Sequence, residues 1–105
     1  MTQKIVYDDA VDVIRVAVEG EMTLDGKPDL VDTFARLKSE YSCNRILMNV
    51  SKVKKTPSVT HLYEFAGKLP FDLYIGLMVG SNNNADFIFL ENTSMNRGRN
   101  VRIFV

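Results

Sequence analysis

A chain of 105 residues with 13 basic and 13 acidic side chains has no net charge, so no overall field recruits nucleic acid and a charged partner must be met by a local patch. Its 46% hydrophobic and 25% charged residues are the ordinary mix of a folded domain, which excludes disorder and sets the expectation of one domain over residues 1–105. One cysteine, Cys43, and one histidine, His61, exclude an internal disulfide and a cysteine-based zinc site.

No stretch approaches the ~20 apolar residues of a membrane span. The first residues lack an apolar core of signal-peptide length, and the expected address is the cytoplasm. Lys4 to Tyr7 reads as a short strand, and Asp8-Asp9-Ala10 supplies turn chemistry before a second one. Val11 to Val18 alternates: Ile14, Val16 and Val18 make an apolar face, while Val13, Arg15 and Ala17 make a mixed one. Gly20 ends that strand. Thr23 to Pro28 looks like a helix start, with Asp25 as cap and Pro28 in the first turn. Leu30, Phe34, Leu37 and Tyr41 follow at helical spacing, widened by Val31.

Ser42-Cys43-Asn44 breaks the pattern, and Ile46 to Val50 reads as a buried strand. A second helix starts near Pro57 or Ser58, carries Val59, Leu62, Phe65, Ala66 and Leu69 on one stripe, and stops at Pro70. Leu73 to Val79 is nearly all apolar and reads as a central strand covered on both faces. Gly80-Ser81-Asn82-Asn83-Asn84 is a turn and cap cluster, and Asp86 to Met95 forms a third helix. Asn96-Arg97-Gly98 closes it, with Gly98 suited to the left-handed position after a helix. Val101 to Val105 is the last strand.

The series β-β-α-β-α-β-α-β predicts an α/β fold: a hairpin, then crossover helices on a mixed, mainly parallel sheet. Most helical cover is expected on one side, with an open edge or face near Phe87 to Leu90.

Few residues suggest chemistry. His61 would need partners such as Ser58 or Asp86 to act as a base, and a boundary histidine is the plainer reading. The cluster at Gly80 to Asn84 offers amides to an anion, although ordinary capping accounts for it. Lys52, Lys54 and Lys55 place three cations in the loop after the third strand, where ligands of open α/β sheets gather. With Ser51, Ser58, Ser81 and Asn82 they would suit an acidic headgroup, a phosphate or an acidic partner; the alternative is a solvated lysine loop. Phe87, Ile88, Phe89 and Leu90 run consecutively on a helix, so at least one must point away from its sheet. That run is a candidate apolar interface or ligand surface. Arg97 reads as a cation complementing a helix C-terminus.

Three segments, Ile46-Leu47-Met48-Asn49-Val50-Ser51, Tyr63-Glu64-Phe65-Ala66-Gly67-Lys68-Leu69-Pro70, and Phe89 to Gly98 with Val101 to Phe104, resemble the SpoIIAA-like domains. These are grouped with the STAS modules and with the CRAL-TRIO lipid-transfer fold, and the nearest branch is small stand-alone bacterial proteins. In the anti-sigma antagonists an Asp-Ser-Ser-Gly-type phosphoacceptor opens the second helix. Here Ser58 falls at the acceptor position, but Pro57 replaces the acid and Thr60 the glycine, which weighs against switching by phosphorylation. The branch continues into a C-terminal amphipathic helix; ending at Val105 implies either truncation or a second subunit over that face. The resemblance implies a non-catalytic regulatory or protein-interaction module, with a protein partner or homodimer and no cofactor. A carrier or sensor of a lipid or other apolar small molecule is the alternative, and an enzyme using His61 ranks third.

Overall fold

A computed structural model describes residues 2–24 and 29–104. The elements run β1 (Thr2–Asp8), β2 (Val13–Glu21), α1 (Leu30–Tyr41), β3 (Arg45–Lys55), α2 (Val59–Lys68), β4 (Tyr74–Met78), α3 (Asn84–Asn96) and β5 (Asn100–Phe104). The α/β order expected from the periodicities is the order observed. The sheet runs β1-β2-β3-β4-β5, with β1 antiparallel to β2 and every later neighbour parallel.

That strand order decides where the core sits. Each helix connects a strand to its immediate parallel neighbour, and right-handed crossovers made always in the same direction leave their helices on one side. Register then aligns the inward residues in rows: Tyr7, Ile14, Ile46, Ile75 and Val101, then Ile5, Val16, Met48, Leu77 and Ile103. Phe34 and Leu37 of α1, Leu62 and Ala66 of α2, and Phe87 and Leu90 of α3 close over these rows.

Several local expectations change. Asp29, with its side chain accepting from the Val31 N–H at 2.8 Å, caps α1; the expected cap Asp25 and Pro28 lie outside the described residues. Gly20 does not end β2. It sits at φ 81° where the β2–β3 register shifts, and the strand continues to Glu21. Such a bulge kinks a strand without terminating it. β3 likewise runs on through the lysines to Lys55. Gly98 takes the expected left-handed conformation at φ 79°. The last strand is described as far as Phe104; Val105 lies outside the described residues.

The second face of β4 is a correction. An apolar run was expected to be covered on both sides, yet Tyr74 is 53% and Met78 38% exposed. Both belong to the uncovered side, where strand order rather than local hydrophobicity decides burial.

Two clamps fix the helices to the sheet. Asn83, 5% exposed, donates through Nδ2 to the carbonyls of Val50 (2.9 Å) and Val53 (3.1 Å) and accepts the Gly80 N–H at 2.9 Å. It occupies the N-cap position of α3, but its side chain makes no capping bond; it ties the carboxyl end of β3 to the turn after β4. Arg97 reaches across to the middle of α2 rather than to the end of its own helix: it donates to the Tyr63 carbonyl at 3.0 Å and stacks on the Tyr63 ring. Arg99 adds bonds to the carbonyls of Gly67 and Leu69. Cations at these carbonyls satisfy the α2 C-terminus. Gly67 makes room, since a Cβ there would meet the Arg97 guanidinium at 2.5 Å.

Candidate functional site

The side of the sheet opposite the helices carries the same register in outward-facing rows. One reads Val6, Arg15, Leu47, Gly76 and Arg102 across the five strands; the next reads Lys4, Ala17, Asn49, Met78 and Phe104. Arg45, Tyr74 and Asn100 align in a third. Apolar, polar and cationic residues mix on this face, where no helix requires a continuous core.

Among its large apolar side chains, Val6 is 49% and Phe104 55% exposed, alongside Tyr74 and Met78. Gly76 leaves room for its neighbours on the face. A Cβ built there would lie 2.9 Å from the Phe104 ring and 3.1 Å from Leu47 Cδ1, so these side chains meet over the glycine. From this floor a trough of about 630 Å³ extends toward the α3–β5 connection, with Val13, Arg45, Tyr74, Met95, Arg99 and Arg102 among its walls. A second hollow of about 260 Å³ shares Leu47 and continues past Lys4, Val6, Arg15 and Met78.

The walls of both hollows hold Lys4, Arg15, Arg45, Arg99 and Arg102, and no aspartate or glutamate. In a chain with equal numbers of acids and bases, that segregation is a local field the overall charge conceals. Two of the five cations are committed to structure. Arg45 donates to the Asp12 carbonyl at 3.1 Å and to the Val11 carbonyl, holding the β1–β2 turn. Arg99 spends its guanidinium on three carbonyls and stacks on Phe71. Arg15 lies 3.3 Å from Asp8 in an exposed pair, which is worth little. Lys4 and Arg102 have no ion-pair partner among the described residues.

Below the trough, the Tyr7 hydroxyl donates to the Asp12 carboxylate at 2.8 Å, and the Tyr7 ring stacks on Tyr41 at 4.7 Å. That hydrogen bond pushes the Tyr7 phenol up to about 12 and holds the Asp12 carboxyl below its usual range. Cys43 is buried beside this turn and donates to the Asp12 carbonyl at 3.3 Å. The knot fixes the turn that Arg45 also grips.

The lysine loop is divided. Lys52 and Lys54 line a polar hollow of about 550 Å³ with Thr2, Ser51 and Asn82, but Glu19 is in the same wall and stands 3.7 Å from Lys52. Lys55 pairs with Glu21 at 3.5 Å, outside that wall. Ser58 caps α2, its hydroxyl accepting the His61 N–H at 3.3 Å, and Ser81 is exposed away from the hollow. His61 is half-buried in a shallow crevice with Asp29, Glu64, Phe65 and Lys68. Asp86, its other suggested partner, accepts the Thr56 hydroxyl at 2.7 Å.

The apolar run on α3 is mostly core. Phe87 and Leu90 are buried, Phe89 packs half-buried against them, and Ile88 alone is exposed, at 44%. The open apolar surface therefore lies on the far side of the sheet from this run, which corrects the expectation of an open face near Phe87 to Leu90. Helical spacing puts Phe87 and Leu90 three apart on the inward stripe, so the run supplies core more than surface. The signal for the true open face was the mixed second face of β2 (Val13, Arg15 and Ala17), extended to Arg45 and Leu47 of β3.

No family model matches the chain, and no curated protein matches it in sequence.

Proposed function

We propose that this chain is a non-catalytic protein-interaction module of the SpoIIAA-like type, and that it binds another protein through the uncovered face of its sheet. One observation carries the reading: Val6, Tyr74, Met78 and Phe104 stand exposed on a face that a parallel sheet normally buries. Leaving a large apolar side chain in water forgoes roughly 1.5–3 kcal/mol of burial, and several lie side by side here. Interfaces of this kind are anchored by aromatic, methionine and arginine side chains, and Tyr74, Phe104, Met78 and Arg102 supply that set.

The test is selection of binders from a displayed random-peptide library against the whole chain. Selected peptides should lose binding to Phe104→Asp and Tyr74→Asp and retain it for Ile88→Asp, which alters the exposed residue on α3. Thermal unfolding confirms that each variant folds. Peptides that ignore both sheet variants and depend on Ile88 would overturn the reading.

A second reading, a carrier of an apolar small molecule, is favoured by the size of the trough. About 630 Å³ falls within the ~300–1,000 Å³ typical of small-molecule sites. Native mass spectrometry of the purified chain separates the two: a carrier retains a ligand mass that Phe104→Asp releases, and an interaction module gives the bare chain.

A further inference from the structure

Resting on the reading of this face as a protein-binding surface, we infer that its partner presents an acidic amphipathic helix lying along β3 and β4. The juxtaposition that points to it is the row Arg15, Leu47, Gly76, Arg102. Arg15 on β2 and Arg102 on β5 are three strand spacings apart, about 14 Å. Between them lies an apolar strip made of Leu47 and the Phe104 ring, which meet over Gly76, extended along β4 by Tyr74 and Met78. A helix with its side chains is ~10–12 Å across, so it fits between the two cations with its apolar stripe on the strip. Each flank then faces a guanidinium, and Lys4 stands beyond the Arg15 flank.

Charge selects among occupants. The walls of both hollows contain cations and no acid, so glutamates or aspartates on the flanks of a helix are complementary and lysines are repelled. The same feature argues against a second copy seated face to face, which would set Arg15, Lys4 and Arg102 against a surface of like charge. Single-stranded nucleic acid is the other anionic candidate. It requires a series of stacking platforms along a cationic track, whereas the walls of the two hollows offer two rings, Tyr74 and Phe104, two rows apart, and are otherwise aliphatic, methionine, glycine and polar.

The experiment uses two model peptides of about 15 residues, ~22 Å of helix. Both carry a leucine stripe at helical spacing; one has glutamates on both flanks and the other lysines. Each is titrated into the ¹⁵N-labelled chain at low salt and followed by amide chemical shifts. The glutamate peptide should shift Leu47, Gly76, Met78 and Arg102 and bind about tenfold more tightly than the lysine peptide, a preference that a few exposed charge pairs supply. Raised salt should erase the difference. Equal binding of both peptides on this face would overturn the acidic helix and leave the face a protein-binding surface. So would failure of both while library-selected peptides still bind there. Shifts confined to the helical side would overturn both conclusions. Tighter binding of a single-stranded RNA of about ten nucleotides on the same face, or face shifts on simple dilution without peptide, would replace the helix by nucleic acid or by a second copy.

Discussion

Asn83 is the residue on which the carboxyl end of the sheet depends most. Its amide makes two donor bonds, to the Val50 and Val53 carbonyls, and its oxygen accepts the Gly80 N–H. Asn83→Ala removes all three in a place where Val50 and Val53 are at most 2% exposed. A net hydrogen bond contributes about 0.5–1.5 kcal/mol, and a buried group left without a partner costs ~1–3 kcal/mol, so the variant should lose about 3 kcal/mol. With a urea slope of about 1–1.5 kcal/mol/M for a chain of this size, the unfolding midpoint should fall by ~2 M. Asn83→Asp separates the donor and acceptor roles. It keeps an acceptor for Gly80 but turns a carboxylate toward two carbonyl oxygens, which raises its folded-state pKa above the unfolded value. Its penalty should therefore be smallest in acid and grow as pH rises past about 4. Loss of less than about 1 kcal/mol in Asn83→Ala, or an aspartate variant as stable at neutral pH as in acid, would refute the clamp.

Other outcomes follow from single contacts. Tyr7 should ionise at about 12, against 10.0 for an unperturbed tyrosine, because Asp12 accepts its proton in a hydrogen bond. A raised folded-state value means that this contribution to stability is complete below pH ~10 and lost between ~10 and ~12. The tyrosinate absorbance missing from Tyr7→Phe should be centred at about pH 12, and Asp12→Asn should move it down; ionisation near 10 in the parent chain would contradict the hydrogen bond. Asp12, held below its usual range, contributes stability that is present above pH ~4 and lost as pH falls through its folded value. The Ser94 hydroxyl is buried on α3 without a hydrogen-bond partner among the described residues. Ser94→Ala should thus raise stability by about 1 kcal/mol in urea unfolding, and a loss of similar size would show that the hydroxyl is satisfied.

Much of the fold was legible because each element announced its own period. Leu30, Phe34 and Leu37 marked one face of α1, Ile14, Val16 and Val18 one face of β2, and Gly98 its left-handed turn. What periodicity cannot state is which strands become neighbours. The face carrying Tyr74 and Met78 looked buried because the run from Leu73 to Val79 is nearly all apolar. Only the order β1-β2-β3-β4-β5 puts all three helices on the other side. The same order joins Arg15, Leu47, Gly76 and Arg102, which are far apart in sequence, into one row. Conversely, Phe87 to Leu90 drew notice as four adjacent apolar residues, and the helix resolved them into two core residues, a half-buried one and a single exposed isoleucine. The asparagines after β4 were legible as a cluster but not as a clamp, because the partners of Asn83 lie some thirty residues away in β3.

Charge reversal at Arg15 and Arg102 inverts the field that selects an acidic helix. In the double variant Arg15→Glu/Arg102→Glu, both cations beside the Leu47–Gly76 strip become acids, and both side chains are exposed. The lysine-flanked peptide should then bind at the same strip about tenfold more tightly than the glutamate-flanked one, the reverse of the parent chain. An unchanged order of preference, with the variant folded, would contradict the account.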